Sequence, residues 1–205
     1  QNTLFREIEL IAAVLAALAG LLLAYRHRFG LVGALVLAAS TAVGGVLLRD
    51  LTAGKVPNDL VEDPETVLAI AILTLVGGLF FRWIRLHPES GWAKLVEELD
   101  LDSHPVMLVF DTLGMAAFTV LGVLVALEMQ MEPLWLWGPA LAAITNGGGA
   151  VIRDLVLGKE VSPVLVSLIY VEHSIVWALG LSIFLTWYSQ NVRMEATALH
   201  AALLA

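Results

Sequence analysis

The stretch TAVGGVLLRDLTAGK, Thr41–Lys55, returns as TNGGGAVIRDLVLGK, Thr145–Lys159, inside otherwise apolar sequence. Setting Arg49 on Arg153 fixes an offset of 104, and 8 of the 15 paired positions are then identical. Agreement of that density marks a duplication. Both copies place glycines and an Arg-Asp pair at membrane depth, where opened backbone and charge are costly unless they serve a purpose.

Crossing about 30 Å of hydrocarbon takes roughly 20 apolar residues. On that ruler six segments emerge, near 4–25, 29–52, 66–86, 105–128, 133–157 and 162–188. The duplication joins the second to the fifth, and the same offset carries Glu7 in the first onto Asp111 in the fourth. Six segments divide three and three, and an odd number of crossings per copy inverts the second copy in the bilayer. The expected fold is an all-α membrane protein of two inverted three-helix repeats, residues 1–88 and 105–188. Residues 89–104 connect them, with Trp92 and Lys94 on a short surface helix, and 189–205 form a C-terminal tail or a partial seventh helix.

Composition agrees: 59% of residues are hydrophobic and 15% charged, against roughly 25% charged in a soluble domain. The net charge of -8 gathers in two connections, Asp59 to Glu65 and Glu89 to Asp102, which read as solvated loops. No run of Lys or Arg offers a nucleic-acid surface. The absence of cysteine removes disulfides, thiolate metal sites and thiol catalysis. His27, His87, His104, His173 and His200 lack ligand spacing and no serine sits in a GxSxG elbow. The sequence therefore predicts no enzyme, no cofactor and no resident metal. The first residues also lack a signal-peptide pattern.

Basic residues set the orientation. Arg26, Arg28, Arg82, Arg85, Lys94 and Lys159 fall on one side and Arg6, Lys55 and Arg193 on the other, which predicts an outside N-terminus. Trp83, Trp135, Trp137, Trp187 and Tyr188 near segment ends suit the aromatic belts at the headgroups.

Two readings of the motif glycines stand side by side. Gly44 and Gly45, with Gly147, Gly148 and Gly149, permit a bend or unwound turn whose freed carbonyls could replace part of a cation's hydration shell. Alternatively they let helices pack closely. Arg49 and Asp50, being sequence neighbours, point about 100° apart on a helix. The sequence therefore predicts either a crossed arrangement, Arg49 with Asp154 and Arg153 with Asp50, or side chains that snorkel to the interface. Asp111 inside the fourth segment faces a helix terminus, a cation path or a base. Glu172 and His173 in the sixth suit pairing with another helix better than proton coupling.

The run TNGGGAVIRDL, Thr145–Leu155, together with DTLGMAAFTVLG, Asp111–Gly122, resembles the prokaryotic branch of the trimeric intracellular cation (TRIC) channels. Its repeated signatures are a GGGxxRD-type run in the second and fifth helices and DxxGxxxFxxxG in the first and fourth. The resemblance spans nearly the whole chain. It implies a homotrimer in which each protomer holds its own potassium-permeable pore between helices bent at those glycines, in a prokaryotic plasma membrane. Related families carry the label glycine transporter, so the resemblance leaves two functional classes open. The first copy departs from the pattern: Val43 replaces a glycine, and Leu10, Val14 and Leu18 stand where the second has Gly114, Phe118 and Gly122. The family's seventh helix has only residues 189–205 available to it here.

The sequence thus points to a monovalent-cation channel, with secondary transport of a small amino acid such as glycine as the alternative and a membrane scaffold as a third reading. Gly44, Gly45, Gly147, Gly148 and Gly149 are the expected hinges of glycine-broken second and fifth helices. Thr41, Thr145 and Asn146 are the expected pathway oxygens. Asp50, Asp154 and Asp111 are to supply negative potential, and Arg49 and Arg153 are to lock the halves or limit ion passage. The expected partners are the chain itself, membrane lipids and passing potassium ions.

Overall fold

The computed structural model describes residues 3–57, 64–98, 105–158 and 170–203. Among the described residues the chain forms seven helices and no strand. These are α1 (Thr3–Arg26), α2 (Leu31–Ala53), α3 (Pro64–Leu86), α4 (Gly91–Glu98), α5 (Pro105–Glu128), α6 (Leu134–Val156) and α7 (Tyr170–Leu203). The expected spans agree with them to within a few residues except at the last, whose residues 162–169 lie outside the described set. Among the described residues, three helices, starting at Phe5, Leu31 and Pro64, are long and apolar enough by composition to cross a bilayer, and Thr112–Glu128 is a shorter apolar stretch. The short α4, with Trp92 exposed, lies where a surface helix is expected.

Punctuation explains the boundaries. Gly54 and Gly158, equivalent under the offset, both adopt φ 68, the left-handed conformation that glycine supplies at a helix C-terminus. No glycine or proline interrupts residues 181–203. The tail accordingly continues α7 through Leu203 instead of starting a separate seventh segment.

Packing follows the duplication. α1, α2 and α3 contact one another in the first half; α6 packs on both α5 and α7 in the second, where α5 also meets α7. The halves join through α2 against α6 and α1 against α5. Buried small residues along α1 (Ala13, Ala17, Ala24) meet Leu37 and Ala38 of α2 in one core cluster, and Phe5 and Ala12 meet Phe118, Leu121 and Val125 in another. Lys55 links three helix ends, its Nζ 3.1 Å from Glu128 Oε2 and 5.4 Å from the Phe5 ring centroid. The start of α1 therefore lies beside the end of α5.

α2 and α6 are uninterrupted across their glycines, which corrects the expectation of glycine-broken helices. The physical reason is the interhelical approach. A Cβ on Gly45 would sit against the Thr145 carbonyl oxygen, and one on Gly149 would lie 2.8 Å from that of Thr41. One on Gly44 would come within 2.9 Å of Ile152 Cδ1, and one on Gly148 within 2.8 Å of Leu48 Cδ1. Each pair of contacts is the other shifted by 104, so the crossing is self-complementary, as at a two-fold interface. Glycine is required here because backbone touches backbone, the small-residue packing that membrane helices favour.

Candidate functional site

The crossing sets the position of the polar groups beside it. Four of the expected pathway residues, Thr41, Thr145, Asn146 and Arg153, converge on one cavity of about 30 Å³ between the halves. Gly114 and Phe118 of the α5 signature line it as well, with Leu15 of α1. That volume admits a water molecule or two. Thr41 Oγ1 donates to the Leu37 carbonyl at 2.7 Å, and Thr145 Oγ1 to that of Leu141 at 2.6 Å. With each hydroxyl hydrogen spent on its own helix, lone pairs are what the two threonines can offer the cavity.

Asn146 is held by a polar triad that the sequence did not reveal. Its Nδ2 shares two hydrogens among three acceptors, Ser174 Oγ at 2.7 Å, Thr119 Oγ1 at 3.1 Å and the Ala142 carbonyl at 3.1 Å. Thr119 and Ser174 hydroxyls are 3.0 Å apart. All three side chains are buried, so the network satisfies polar groups that would otherwise be expensive in lipid. Serines and threonines are too frequent in membrane helices to single out, but the offset is a usable signal. Thr119, Asn146 and Ser174 map onto Leu15, Ala42 and Ile70, an apolar set in the first half.

The Arg-Asp pairs correct a second expectation. Arg49 Nη2 lies 2.7 Å from Asp50 Oδ1 and its Nε donates to the same oxygen at 2.8 Å. Arg153 Nε donates to Asp154 Oδ1 at 3.4 Å. Each arginine thus reaches its own neighbour, and neither pair snorkels outward: Asp50 and Asp154 are each 1% exposed. Adjacent Cβ atoms do diverge, but the long arginine stem curls back to the carboxylate, and a water-poor interior strengthens the attraction.

Arg49 also reaches Glu9 of α1, Nη2 to Oε1 at 3.3 Å. Glu9 was missed because its equivalent is Leu113, so the repeat conceals it. Helical periodicity could have found it: counting back from Ala17 and Ala13 by four along the buried face of α1 arrives at Glu9. The Arg49 side chain is fully buried, whereas that of Arg153 is 16% exposed and borders the cavity. Gly147 faces α7, where a Cβ would meet Val171 Cγ2 at 3.4 Å. The side chain of Asp111 and all of Lys159 lie outside the described residues. Glu172 and His173 are exposed near the start of α7, away from the cavity lining.

Seven helices in two packed halves, with a polar cavity between them, define an α-helical, multi-pass membrane protein. Its fold is that of the prokaryotic TRIC channels. An orthologue from Rhodobacter sphaeroides, described as a trimeric intracellular cation channel, superposes with a TM-score of 0.71 at 24% identity over 91% of this chain and 86% of that one. A prokaryotic TRIC channel crystallised in 0.5 M KCl gives 0.68 at 20% identity, over 87% and 82%.

The chain belongs to the family described as glycine transporter, whose model matches residues 7–83 and 108–188, one stretch for each half. Relatives include a UPF0126 membrane protein of Deinococcus radiodurans, 35% identical over 74% of this chain. That alignment spans 62% of the Deinococcus protein's length. The UPF0126 membrane protein YvgT of Bacillus subtilis is 30% identical over 90% of this chain and 81% of its own. The UPF0126 inner membrane protein YadS of Escherichia coli K12 is 28% identical over 94% and 83%.

Proposed function

We propose that the protein is a channel for monovalent cations, potassium among them, with a pore inside each protomer where two inverted halves meet. The observation that carries the reading is the cavity in which Thr41 and Thr145, equivalent residues of the two copies, offer oxygen lone pairs beside Asn146. Such oxygens can replace part of a weakly hydrated cation's water shell. Asp154, and Asp111 in the same half, supply negative potential. Arg153 at the cavity limits passage, while Arg49, clamped by Asp50 and Glu9, locks the first half. The glycines act by fixing the distance between α2 and α6. Three copies assemble, as the Rhodobacter orthologue's description as trimeric suggests, in a prokaryotic plasma membrane with the N-terminus outside.

Purified protein reconstituted into a planar bilayer with potassium chloride tests this. Discrete current steps that shrink in Thr41→Val/Thr145→Val are expected. Steps that are absent, or unchanged in the double variant, overturn the assignment. Arg153 favours one alternative, because a guanidinium in a small polar cavity also suits the carboxylate of an amino acid. In that case liposomes show saturable glycine uptake without current, and Arg153→Met abolishes it.

A further inference from the structure

A second recess, about 70 Å³, lies where α1, α2 and α3 converge at the α1–α2 turn. Its walls are apolar, with Leu21, Leu31 and Phe81 among them, and Arg82 and Arg85 complete the lining. Arg85 is fixed in place. Its Nη1 donates to the Phe29 carbonyl at 3.1 Å and its Nη2 to that of Tyr25 at 2.9 Å. The guanidinium also lies 5.1 Å from the Tyr25 ring centroid, and that ring stacks on Phe81 at 4.4 Å. These bonds tie Arg85 to the backbone of the α1–α2 turn. Arg82, three residues earlier, shares a face with Arg85 and is exposed.

The surroundings specify the ligand class. No acidic residue is among the described residues lining the recess, so its cationic character is not cancelled locally. Trp83 and Trp92 are exposed alongside, and exposed tryptophans mark headgroup depth. Leu75, Val76 and Leu79 are exposed along α3, an apolar strip leading from the arginines toward the hydrocarbon.

We propose that this recess binds the phosphodiester headgroup of an anionic phospholipid, with Arg82 and Arg85 on the phosphate oxygens and an acyl chain along the outer strip of α3. A guanidinium fork matches the geometry of phosphate oxygens, and basic pockets between membrane helices select anionic headgroups. The assignment is independent of what crosses the cavity between the halves.

Native mass spectrometry of the purified protein, with phosphatidylglycerol, phosphatidylcholine or inorganic phosphate added, provides the test. Wild type is expected to retain phosphatidylglycerol in preference to phosphatidylcholine. Arg82→Ala should lower phosphatidylglycerol retention about fivefold and leave phosphatidylcholine unchanged, and Arg82→Lys should restore most of it. Arg82 is chosen because Arg85 also holds the α1–α2 turn; Arg82→Gln serves as a second variant, and an unaltered melting temperature without lipid certifies folding. Equal retention by wild type and both neutral variants overturns the proposal. So does an equal loss in Lys94→Ala, a basic residue outside the recess, and so does inorganic phosphate that displaces the lipid at matched concentration.

Discussion

The two halves share a sequence motif and a helical plan, yet they bury different chemistry at equivalent depths. The first half encloses charge, Arg49 between Asp50 and Glu9, while apolar Leu15, Ala42 and Ile70 occupy the triad positions. The second encloses neutral hydrogen bonds, Thr119, Asn146 and Ser174, and leaves Arg153 beside the cavity with Leu113 where Glu9 would be. Duplication provided both helices of one crossing, and the copies differ in what they hold: the first fixes a charge, the second presents one.

The largest expected effect breaks the charged core. Arg49→Met leaves two buried carboxylates without their cation, a loss of about 3–5 kcal/mol. Arg153→Met, at the partly open position, should cost well under half of that. Thermal unfolding in detergent compares the two, and equal losses would erase the distinction between the halves. Next comes Gly45→Ala, whose methyl group meets the Thr145 carbonyl oxygen and should cost about 3 kcal/mol by overpacking. Gly148→Ala meets only the end of a leucine side chain and should cost less, whereas Gly148→Leu should separate the helices and abolish flux.

The neutral triad gives a sharper comparison. Asn146→Ala leaves the Thr119 and Ser174 hydroxyls short of a partner, about 1–2 kcal/mol. Installing the first half's residues throughout, Thr119→Leu, Asn146→Ala and Ser174→Ile, should recover most of that stability while flux stays impaired. Recovery of both would show that the triad only packs. The smallest effect on stability, under about 1 kcal/mol, belongs to Thr41→Val and Thr145→Val, because each hydroxyl bonds only to its own helix. Their influence should appear in conductance.

The helices and the duplication were legible because apolar length and a 104-residue identity pattern are properties of the chain itself. The consequence of the glycines was not, since a bend and a close approach call for the same residue. Only the neighbouring Thr145 carbonyl decides between them. The convergence of Thr41 and Thr145 was readable from their repeated placement, but the partner of Arg49 was not. Glu9 has no counterpart in the second copy, and Thr119 and Ser174 have none in the first, so comparing the copies hides what each acquired alone.

The glycine crossing also has a mechanical consequence. Backbones in direct contact at one place behave as a pivot, and the pivot in α2 is off centre. At about 1.5 Å per residue, Gly44 stands about 20 Å from the Leu31 end of the helix and roughly 14 Å from Ala53. A tilt of about 5° therefore sweeps the long arm by close to 2 Å and the short arm by little more than 1 Å. The short arm carries Arg49 and its clamp, so any rotation at this fulcrum moves the clamped end about two thirds as far as the Leu31 end.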